Sequence, residues 1–441
     1  MSINKRVLLL ALLFLPLTAA AVPDIQHWQT AAGARVYFVQ LKELPIVDVQ
    51  VAFDAGSARD PNGGEGLAML TNSLLDEGAG GMDANAVSFE FERLGAQYSA
   101  DAGYDSGSVS LRSLSDADKL RPALDNLSRV LGEPDFPEEA LARQKKRLLV
   151  AIQRKQQSPG AVADDAFQSA VYGDHPYASP KEGTADSVRD LQRSDVSAFH
   201  DRYYVAANAV VTIVGDLDRR RAEEVADRIT QALDTGAAPA PLPEVAGLDA
   251  AKTLEVDHPS AQTHILLGQP GIERGDTDYF SLYVGNHVLG GSGLVSRLFK
   301  EIRGERGLAY STYSYFFPRR RSGPFTAAVQ TRADQADEAL RVLRDNIRRY
   351  IQEGPSEKEL MAAKKNITGG FPLRIDSNSD ILGYVAMIGF YGLPLDYLDT
   401  FKDRVEAVTV EQIREAFRRR LDPDHMITVK VGPLNTGDTE K

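Results

Sequence analysis

The two halves of this sequence resemble each other, and this repetition constrains the fold more than any other feature. The first half ends in an amphipathic helical pattern at residues 195–204, followed by a β-branched strand pattern at 208–215 that closes on glycine. The second half ends in the same way, with a helical pattern at 410–421 and a strand pattern at 424–432. Self-similarity on this scale predicts two copies of one structural unit.

The fronts of the two halves match as well as their ends. Residues 47–55 and 262–269 have strand patterns, and each leads through a loop rich in Gly or Asp to a helical segment. Between front and end, each half has long helical patterns, such as 138–157 and 333–352. Strands and long helices in this order predict an α+β fold in which each half forms one sheet with helices packed on one face.

A segment of alternating Ala and Pro, residues 236–243, separates the two halves. This composition favours an extended, semi-rigid spacer. We therefore predict an N-terminal domain at 22–235, a linker at 236–250 and a C-terminal domain at 251–437.

The N-terminus has the features of a secretory signal peptide. Lys5 and Arg6 precede an apolar run at 7–17, which is too short to span a bilayer. Small residues up to Ala21 provide a cleavage site, so residues 1–21 are predicted to be removed. The alternative is a membrane anchor, but a polar segment follows the apolar run at once. The mature protein is expected to be exported and soluble, and a periplasmic location fits this expectation.

Composition disfavours several classes of function. The 441 residues include no Cys, which excludes disulfides and thiolate catalysis. The formal net charge of −12 disfavours a nucleic-acid partner. Three arginine triplets, at 219–221, 319–321 and 418–420, are interpreted as helix ends and solvated turns rather than as binding patches.

The motifs of common hydrolases are missing. Zinc ligation usually needs two ligands on one helical turn, yet no two of the seven His residues are three or four positions apart. The closest pair, His258 and His264, is interpreted as ordinary. There is no G-x-S-x-G elbow, and the glycines of 290–296 lack the preceding strand that a phosphate loop requires. A hydrolase with two paired carboxylates stays open, since the chain has 62 acidic residues.

A short helix predicted within 64–78 has the spacing of a metallopeptidase helix without its chemistry. Met69, Asn72 and Ser73 stand at i, i+3 and i+4, where such a helix holds its ligands and its base. A thioether, a neutral amide and a hydroxyl replace neither the imidazoles that bind zinc nor the carboxylate that activates bound water. We expect no metal and no cofactor in this chain.

One constellation remains, in the second half of the chain. A helix is predicted over residues 294–303, followed by a glycine-broken turn and a strand rich in Tyr and Ser at 309–317. Leu294, Leu298 and Ile302 are predicted to share the apolar face of that helix.

Arg303 would lie in the last turn of this helix and Tyr310 early in the strand. A cationic fork and a phenol donor can therefore meet near one backbone turn and hold a carbonyl oxygen or a carboxylate. The alternative is that Arg303 complements the helix C-terminus and Tyr310 packs against a neighbouring strand.

Besides the repeat, two strings in the sequence are distinctive. One is His-Pro-Tyr at 175–177, followed by Gly-Thr at 183–184, and the other is the segment 298–311. With these strings the chain resembles the pitrilysin/insulinase family of zinc peptidases, including the mitochondrial processing peptidase type, over about 23–433. The segment 298–311 carries the strongest likeness, because it looks like the family's arginine–tyrosine pair.

The chain departs from the family pattern at the zinc site. Catalytic members of the family carry H-x-x-E-H on the first-domain helix and a third ligand Glu roughly eighty residues later. Here Met69 stands at the first His, Asn72 at the base Glu and Ser73 at the second His. The third ligand falls near Ala151. The resemblance therefore implies a degenerate zinc site.

The resemblance implies two homologous α+β domains that form half of a clam-shell. It also implies a split enzyme, in which a homologous H-x-x-E-H subunit completes a heterodimer and holds the zinc. Arg303 and Tyr310 would then be the catalytic contribution of this chain, donating hydrogen bonds to a peptide substrate and to the oxyanion. Two other hypotheses stay open: an inert peptide-binding or scaffold protein, and a self-sufficient hydrolase with an unrelated site. No nucleic acid and, after signal cleavage, no membrane is expected as a partner.

Overall fold

The structure, a computed structural model, describes residues 24–433. The predicted signal peptide, 1–21, lies outside these residues. Within the described range, no helix combines the length and the apolar composition that crossing a membrane requires.

The strands of the first half are β1 (Gln26–Gln29), β2 (Arg35–Gln40), β3 (Ile46–Phe53), β4 (Gly78–Ala79), β5 (Met82–Asp83), β6 (Gln97–Ala102), β7 (Gly107–Leu114) and β8 (Ala209–Gly215). Six of them form one sheet with the order β1-β2-β8-β3-β7-β6. Neighbouring strands of this sheet are antiparallel except β2 and β8, which are parallel. The other two strands, β4 and β5, form a separate small hairpin.

The strands of the second half are β9 (Lys252–Asp257), β10 (Gln262–Pro270), β11 (Ser311–Phe316), β12 (Pro324–Arg332) and β13 (Ile427–Gly432). They form a five-stranded sheet with the order β11-β12-β10-β13-β9, again with a single parallel pair, β13 with β9. Starting from the parallel pair, the order is the same in both sheets, with β2, β8, β3, β7 and β6 matching β9, β13, β10, β12 and β11. The predicted tandem of two mostly antiparallel α+β domains is confirmed.

Helices connect these strands and surround the sheets. In the first half they are α1 (Leu67–Asn72), α2 (Ala84–Glu92), α3 (Ala117–Gly132), α4 (Glu138–Gln156), α5 (Pro159–Tyr172), α6 (Ala185–Asp190), α7 (Arg193–Tyr203) and α8 (Arg219–Gln231). In the second half they are α9 (Tyr279–Asn286), α10 (Ala336–Glu353), α11 (Glu357–Gly370), α12 (Asn378–Tyr391), α13 (Tyr397–Ala407) and α14 (Val410–Arg420). Two π-helices, His287–Gly291 and Phe299–Glu305, follow α9.

Alternation along the strands decides which face of the first sheet meets its own helices. In β3, Val47, Val49, Val51 and Phe53 are all buried in one core with residues of α1, α3, α7 and α8. Since successive side chains of a strand point to opposite faces, residues such as Ala52 must find cover on the other side. The helices of the first domain leave that second face open.

A helix of the second domain covers this open face. Tyr37 and Ala52 of the first sheet share a core with Ile381 and Val385 of α12. Gly389 of α12 lies so close that an added Cβ would come within 2.5 Å of the Tyr37 ring. The absence of a side chain at this glycine therefore allows the helix to approach the sheet.

Helix α5 of the first domain packs in the same way on the sheet of the second domain. Phe167 of α5 is 1% exposed and lies in a core with Leu266 of β10 and with Val429 of β13. A Cβ added at Gly268 of β10 would come within 2.8 Å of Phe167. Each sheet is thus covered by its own helices on one face and by a helix of the other domain on the second face.

A buried carboxylate joins the domains beside these helices. Asp105, in the turn between β6 and β7, is 5% exposed and accepts a hydrogen bond from the Tyr177 hydroxyl. Its Oδ2 also accepts from the Tyr391 hydroxyl at 2.8 Å and from the backbone N–H of Arg320 at 2.9 Å. We call Asp105, Tyr177, Arg320 and Tyr391 the interdomain latch.

The latch corrects the interpretation of one arginine triplet. Residues 319–321 are half-buried rather than solvated, and the guanidinium of Arg319 lies 3.7 Å from the Tyr104 ring. The sequence interpretation was wrong because the partners, an acid and several tyrosines, come from distant segments. The other two triplets, 219–221 and 418–420, do lie at helix ends.

Replacing the latch carboxylate by an amide, Asp105→Asn, is expected to lower the free energy of unfolding by about 2 kcal/mol. Three donors point at this carboxylate, and an amide NH₂ group cannot accept from any of them, so a buried donor loses its partner. Urea unfolding measures the change, with Asp101→Asn on the exposed strand β6 as the control. Equal unfolding midpoints for the two variants would contradict the role of the latch.

The predicted linker, residues 236–250, has no helix or strand, but it packs against the rest of the protein. Leu242 is buried, and its carbonyl oxygen accepts from Arg321 Nε at 2.9 Å. The predicted domain boundaries at 235/236 and 250/251 stay predictions.

Candidate functional site

Helix α1, which carries Met69 and Asn72, begins at a tightly constrained turn. Gly66 has φ of +94°, and a Cβ there would come within 2.7 Å of the Glu182 carbonyl oxygen. The carboxylate of Asp60 accepts from the backbone N–H groups of Gly66 at 2.8 Å and Ala68 at 2.7 Å. Burial raises the pKa of Asp60 to about 7, although these two hydrogen bonds favour its charged form. Both contacts fix the start of the helix.

Two polar residues at the end of α1 make structural contacts. Asn72 is 2% exposed, and its Nδ2 donates to the Ser108 carbonyl oxygen and to the Tyr204 hydroxyl, each at 3.2 Å. The Ser73 hydroxyl donates to the Leu70 carbonyl oxygen at 2.8 Å. Asn72 therefore ties α1 to the first sheet, and Ser73 closes the end of its own helix.

The remaining two positions are apolar. Met69 packs against a small core formed by Leu148, Ile152 and Val188. Ala151 is exposed on α4. Neither side chain offers the imidazole or carboxylate that zinc takes in proteins.

The donor set of this face does not fit zinc. Within residues 24–433, no group of three or more His, Cys, Asp or Glu side chains is arranged to hold a metal ion. Met69 is packed in a small core, Asn72 and Ser73 are engaged in hydrogen bonds, and Ala151 has no group that binds a metal.

The structure brings Arg303 and Tyr310 together. Arg303 Nη1 donates to the Tyr310 carbonyl oxygen at 2.9 Å, and the guanidinium carbon lies 5.1 Å from the centre of the Tyr310 ring. The same guanidinium lies 4.9 Å from the ring of Phe299. Two aromatic rings therefore hold the cation in place by cation–π contacts.

Both side chains of the pair face solvent. Tyr310 is 69% exposed, so it does not pack against a neighbouring strand; its backbone N–H instead donates to the Gln330 carbonyl oxygen at 3.0 Å. Among the described residues, no carboxylate forms an ion pair with Arg303. The remaining guanidinium donors and the Tyr310 hydroxyl can therefore bind a ligand from solvent.

The helix predicted over 294–303 is wrong in its first turn. Leu294 is 69% exposed and lies in a 3₁₀ turn, Gly293–Val295, while Leu298 and Ile302 are buried as expected. Ser296 ends this turn with extended backbone dihedrals, φ −68° and ψ 158°, and its hydroxyl accepts from the Phe299 N–H at 3.3 Å. A serine in this conformation starts a new helical segment, so Leu294 falls outside it.

An ion pair fixes the start of the segment that carries Arg303. Arg297 donates to both carboxylate oxygens of Glu359, at 2.7 and 2.6 Å. Ser356 adds two further hydrogen bonds to the same carboxylate, from its N–H at 2.8 Å and its hydroxyl at 2.7 Å. Hydrogen bonding from Arg297, opposed by burial and aided by Ser356, lowers the pKa of Glu359 to about 2.

Glu359→Gln is expected to lower the free energy of unfolding at pH 7 by about 1–2 kcal/mol, because the site favours a charged carboxylate. The pKa of Glu359 is lower in the folded state, so its stabilisation is present above the unfolded pKa of about 4.5 and is lost as the pH falls towards 2. Urea unfolding at pH 7 and at pH 3 measures both values. A difference between variant and wild type that does not shrink at pH 3 would contradict this assignment.

The comparisons with known proteins agree with this fold. Residues 35–185 match the family described as Insulinase (Peptidase family M16), and residues 190–367 match the Peptidase M16 inactive domain. A peptidase M16 inactive domain from Pseudomonas fluorescens, solved by crystallography, is 40% identical and has a TM-score of 0.90, covering 95% of this chain and 100% of that one.

Two bacterial relatives extend over almost the whole chain. The uncharacterized zinc protease YmxG of Bacillus subtilis (strain 168) is 23% identical over 92% of this chain and 98% of its own length. The non-peptidase homolog YmxG of Helicobacter pylori (strain ATCC 700392 / 26695) is 24% identical over 91% of this chain and 92% of its own length. The match to the inactive domain supports an inactive-type member, and the resemblance predicted from the sequence is confirmed: the chain belongs to the M16 family of insulinase-like proteins.

Proposed function

We propose that this chain is the zinc-free subunit of an exported, heterodimeric M16 metallopeptidase. A homologous subunit with H-x-x-E-H would supply the metal site, and this chain would supply Arg303 and Tyr310 to the peptide substrate. The observation that carries the proposal is the combination of an exposed arginine–tyrosine pair with a helix α1 that has no metal ligands.

The chemistry of the pair suits a substrate backbone. A guanidinium and a phenol are both hydrogen-bond donors, and a peptide carbonyl gains negative charge when it is attacked. Arg303 is already oriented by Phe299 and by the Tyr310 carbonyl oxygen, so little side-chain freedom is lost when a substrate binds. In this role the pair orients the substrate and stabilises the oxyanion in the partner's active site.

The test is to mix the purified chain with an exported M16 protein that carries H-x-x-E-H, beginning with any encoded in the adjacent reading frame. Neither protein alone should cleave a fluorogenic peptide library, whereas the mixture should cleave it and lose activity with a chelator. Metal analysis should find zinc only on the partner. Stoichiometric zinc on the isolated chain, with proteolysis that depends on it, would contradict the proposal.

Two other outcomes favour the alternatives. Peptide binding without cleavage, whichever M16 partner is supplied, favours a scaffold that kept the fold and lost the chemistry. Cleavage by the isolated chain in the presence of chelator favours an unrelated hydrolytic site. The exposed pair supports the first proposal over a scaffold, because a scaffold has no evident use for it.

A further inference from the structure

A second polar site lies at the far end of strand β11. A cavity of about 450 Å³ opens between α9, the π-helix His287–Gly291 and the end of β11. This volume lies within the range of small-ligand sites in proteins. Aromatic rings form much of its wall, including Tyr279, Tyr283, Tyr315 and Phe317.

The cavity is positively charged in a protein that is acidic as a whole. Arg274 and Arg374 both line it, and none of the lining residues is Asp or Glu. Among residues 24–433, no carboxylate pairs with either arginine. The formal net charge of the chain is −12, so a cavity lined by two unpaired guanidinium groups differs in the sign of its charge from the chain as a whole.

Each arginine is held by aromatic side chains and keeps free donors. Arg374 Nη1 donates to the Tyr283 hydroxyl at 2.8 Å. Arg274 lies 5.4 Å from the centre of the Tyr391 ring, and its Nε is buried without a hydrogen-bond partner among the described residues. Both arginines line the cavity, so their guanidinium groups can donate to an anion bound there.

The third basic group at the cavity is His287. Burial lowers its pKa, and the nearby charge of Arg374 lowers it further, although a hydrogen bond with Asn366 acts in the opposite direction. The lowered pKa favours the neutral imidazole, and His287 gives a local probe of any anion that binds beside it.

We propose that this cavity binds a carboxylate carried on an aromatic or apolar body, as in the C-terminus of a peptide that ends in a large side chain. Planar guanidinium groups match a carboxylate in a bidentate geometry, and the rings of Tyr315 and Phe317 at the rim, 39% and 48% exposed, would cover the apolar part.

The link to peptides comes from strand β11. Tyr310 immediately precedes this strand and Phe317 immediately follows it, so about seven residues, or roughly 23 Å of extended chain, separate the arginine–tyrosine pair from the cavity. A peptide of that length could reach both sites. This link rests on the proposed function, whereas the carboxylate site itself does not.

The experiment is a calorimetric titration of the full chain without a partner. The two ligands are N-acetyl-Leu-Phe and its C-terminal amide. The free acid is expected to bind about 10- to 100-fold more tightly, because the amide loses a charge-assisted hydrogen bond. Arg374→Gln should remove this preference, and Arg341→Gln, an exposed arginine on α10, should keep it. Equal affinity of acid and amide, or no binding of either, would overturn the proposal.

A second measurement stays informative if Arg374→Gln misfolds. The His287 proton resonance, assigned by its absence in His287→Gln, should shift when the free acid is added to the wild-type chain. An unmoved His287 resonance under saturating acid would place binding elsewhere and overturn the site.

Two further probes distinguish the sources of the carboxylate. Phenylpropionate that binds as tightly as the dipeptide supports the site and identifies small aromatic acids as its ligands, whereas binding at least tenfold weaker supports a peptide terminus. Displacement of the dipeptide by equimolar inorganic phosphate would contradict carboxylate selectivity. These are binding measurements on one chain, so their failure leaves the heterodimer test untouched.

Discussion

Arg303→Ala should lower the turnover of the reconstituted peptidase by about 10²- to 10³-fold, the usual effect of removing one donor to a developing oxyanion. Tyr310→Phe should lower it by about tenfold or more, because the ring is kept and only the hydroxyl is lost. Both side chains are exposed, and the pair contacts itself and Phe299 rather than the core. The folded structure and the assembly with the partner should therefore survive both changes.

Steady-state cleavage of a fluorogenic peptide by the mixed subunits measures these effects, and size-exclusion chromatography monitors assembly. The matched control is Arg306→Ala, a neighbouring exposed arginine three residues further along the chain. A higher KM with an unchanged kcat would indicate that Arg303 only binds the substrate. Full turnover in both variants would remove the role assigned to the pair while leaving the fold unaffected.

Phe167→Ala is expected to be the most destabilising single substitution considered, with a loss of about 3–5 kcal/mol in the free energy of unfolding. The side chain is 1% exposed and belongs to α5, which packs on the sheet of the other domain. Truncation leaves a cavity between the two domains beside Gly268, where the backbone cannot move closer because β10 is paired on both sides.

Urea unfolding measures this loss, with Phe89→Ala as the control because Phe89 is 61% exposed on α2. The exchange of α5 and α12 makes each sheet depend on the other domain. The wild-type chain should therefore unfold in one transition, and Phe167→Ala should separate it into two. Comparable stability of the two variants would contradict the cost assigned to Phe167. Two transitions in the wild-type chain would show that the domains unfold independently.

Local patterns in the sequence predicted the repeat well. The strand patterns at 47–55 and 262–269 correspond to β3 and β10, and the helical patterns at 138–157 and 410–421 correspond to α4 and α14. Amphipathic periodicity and β-branched runs are local properties, so they survive in a single sequence. The likeness between the halves predicted two copies of one structural unit, and the matching strand orders of the two sheets agree with it.

The candidate pair was also predictable, because Arg303 and Tyr310 lie seven positions apart around one glycine-containing turn. The latch and the cavity were not. Arg320 meets Asp105 across more than two hundred residues, and Arg374 reaches a cavity whose other arginine is one hundred positions earlier. Local spacing along the chain does not predict contacts between residues so far apart in the sequence.

The sequence by itself determined the tandem α+β units, the loss of metal ligands at Met69, Asn72 and Ser73, and the survival of an arginine–tyrosine string. Only the tertiary structure decided that each sheet borrows a helix from the other domain, that an arginine triplet joins the domains, and that two unpaired arginines share a cavity. The physical reason is that side-chain identity and periodicity are properties of short segments of the sequence. Burial and charge pairing, in contrast, depend on which distant segments the packed sheets bring into contact.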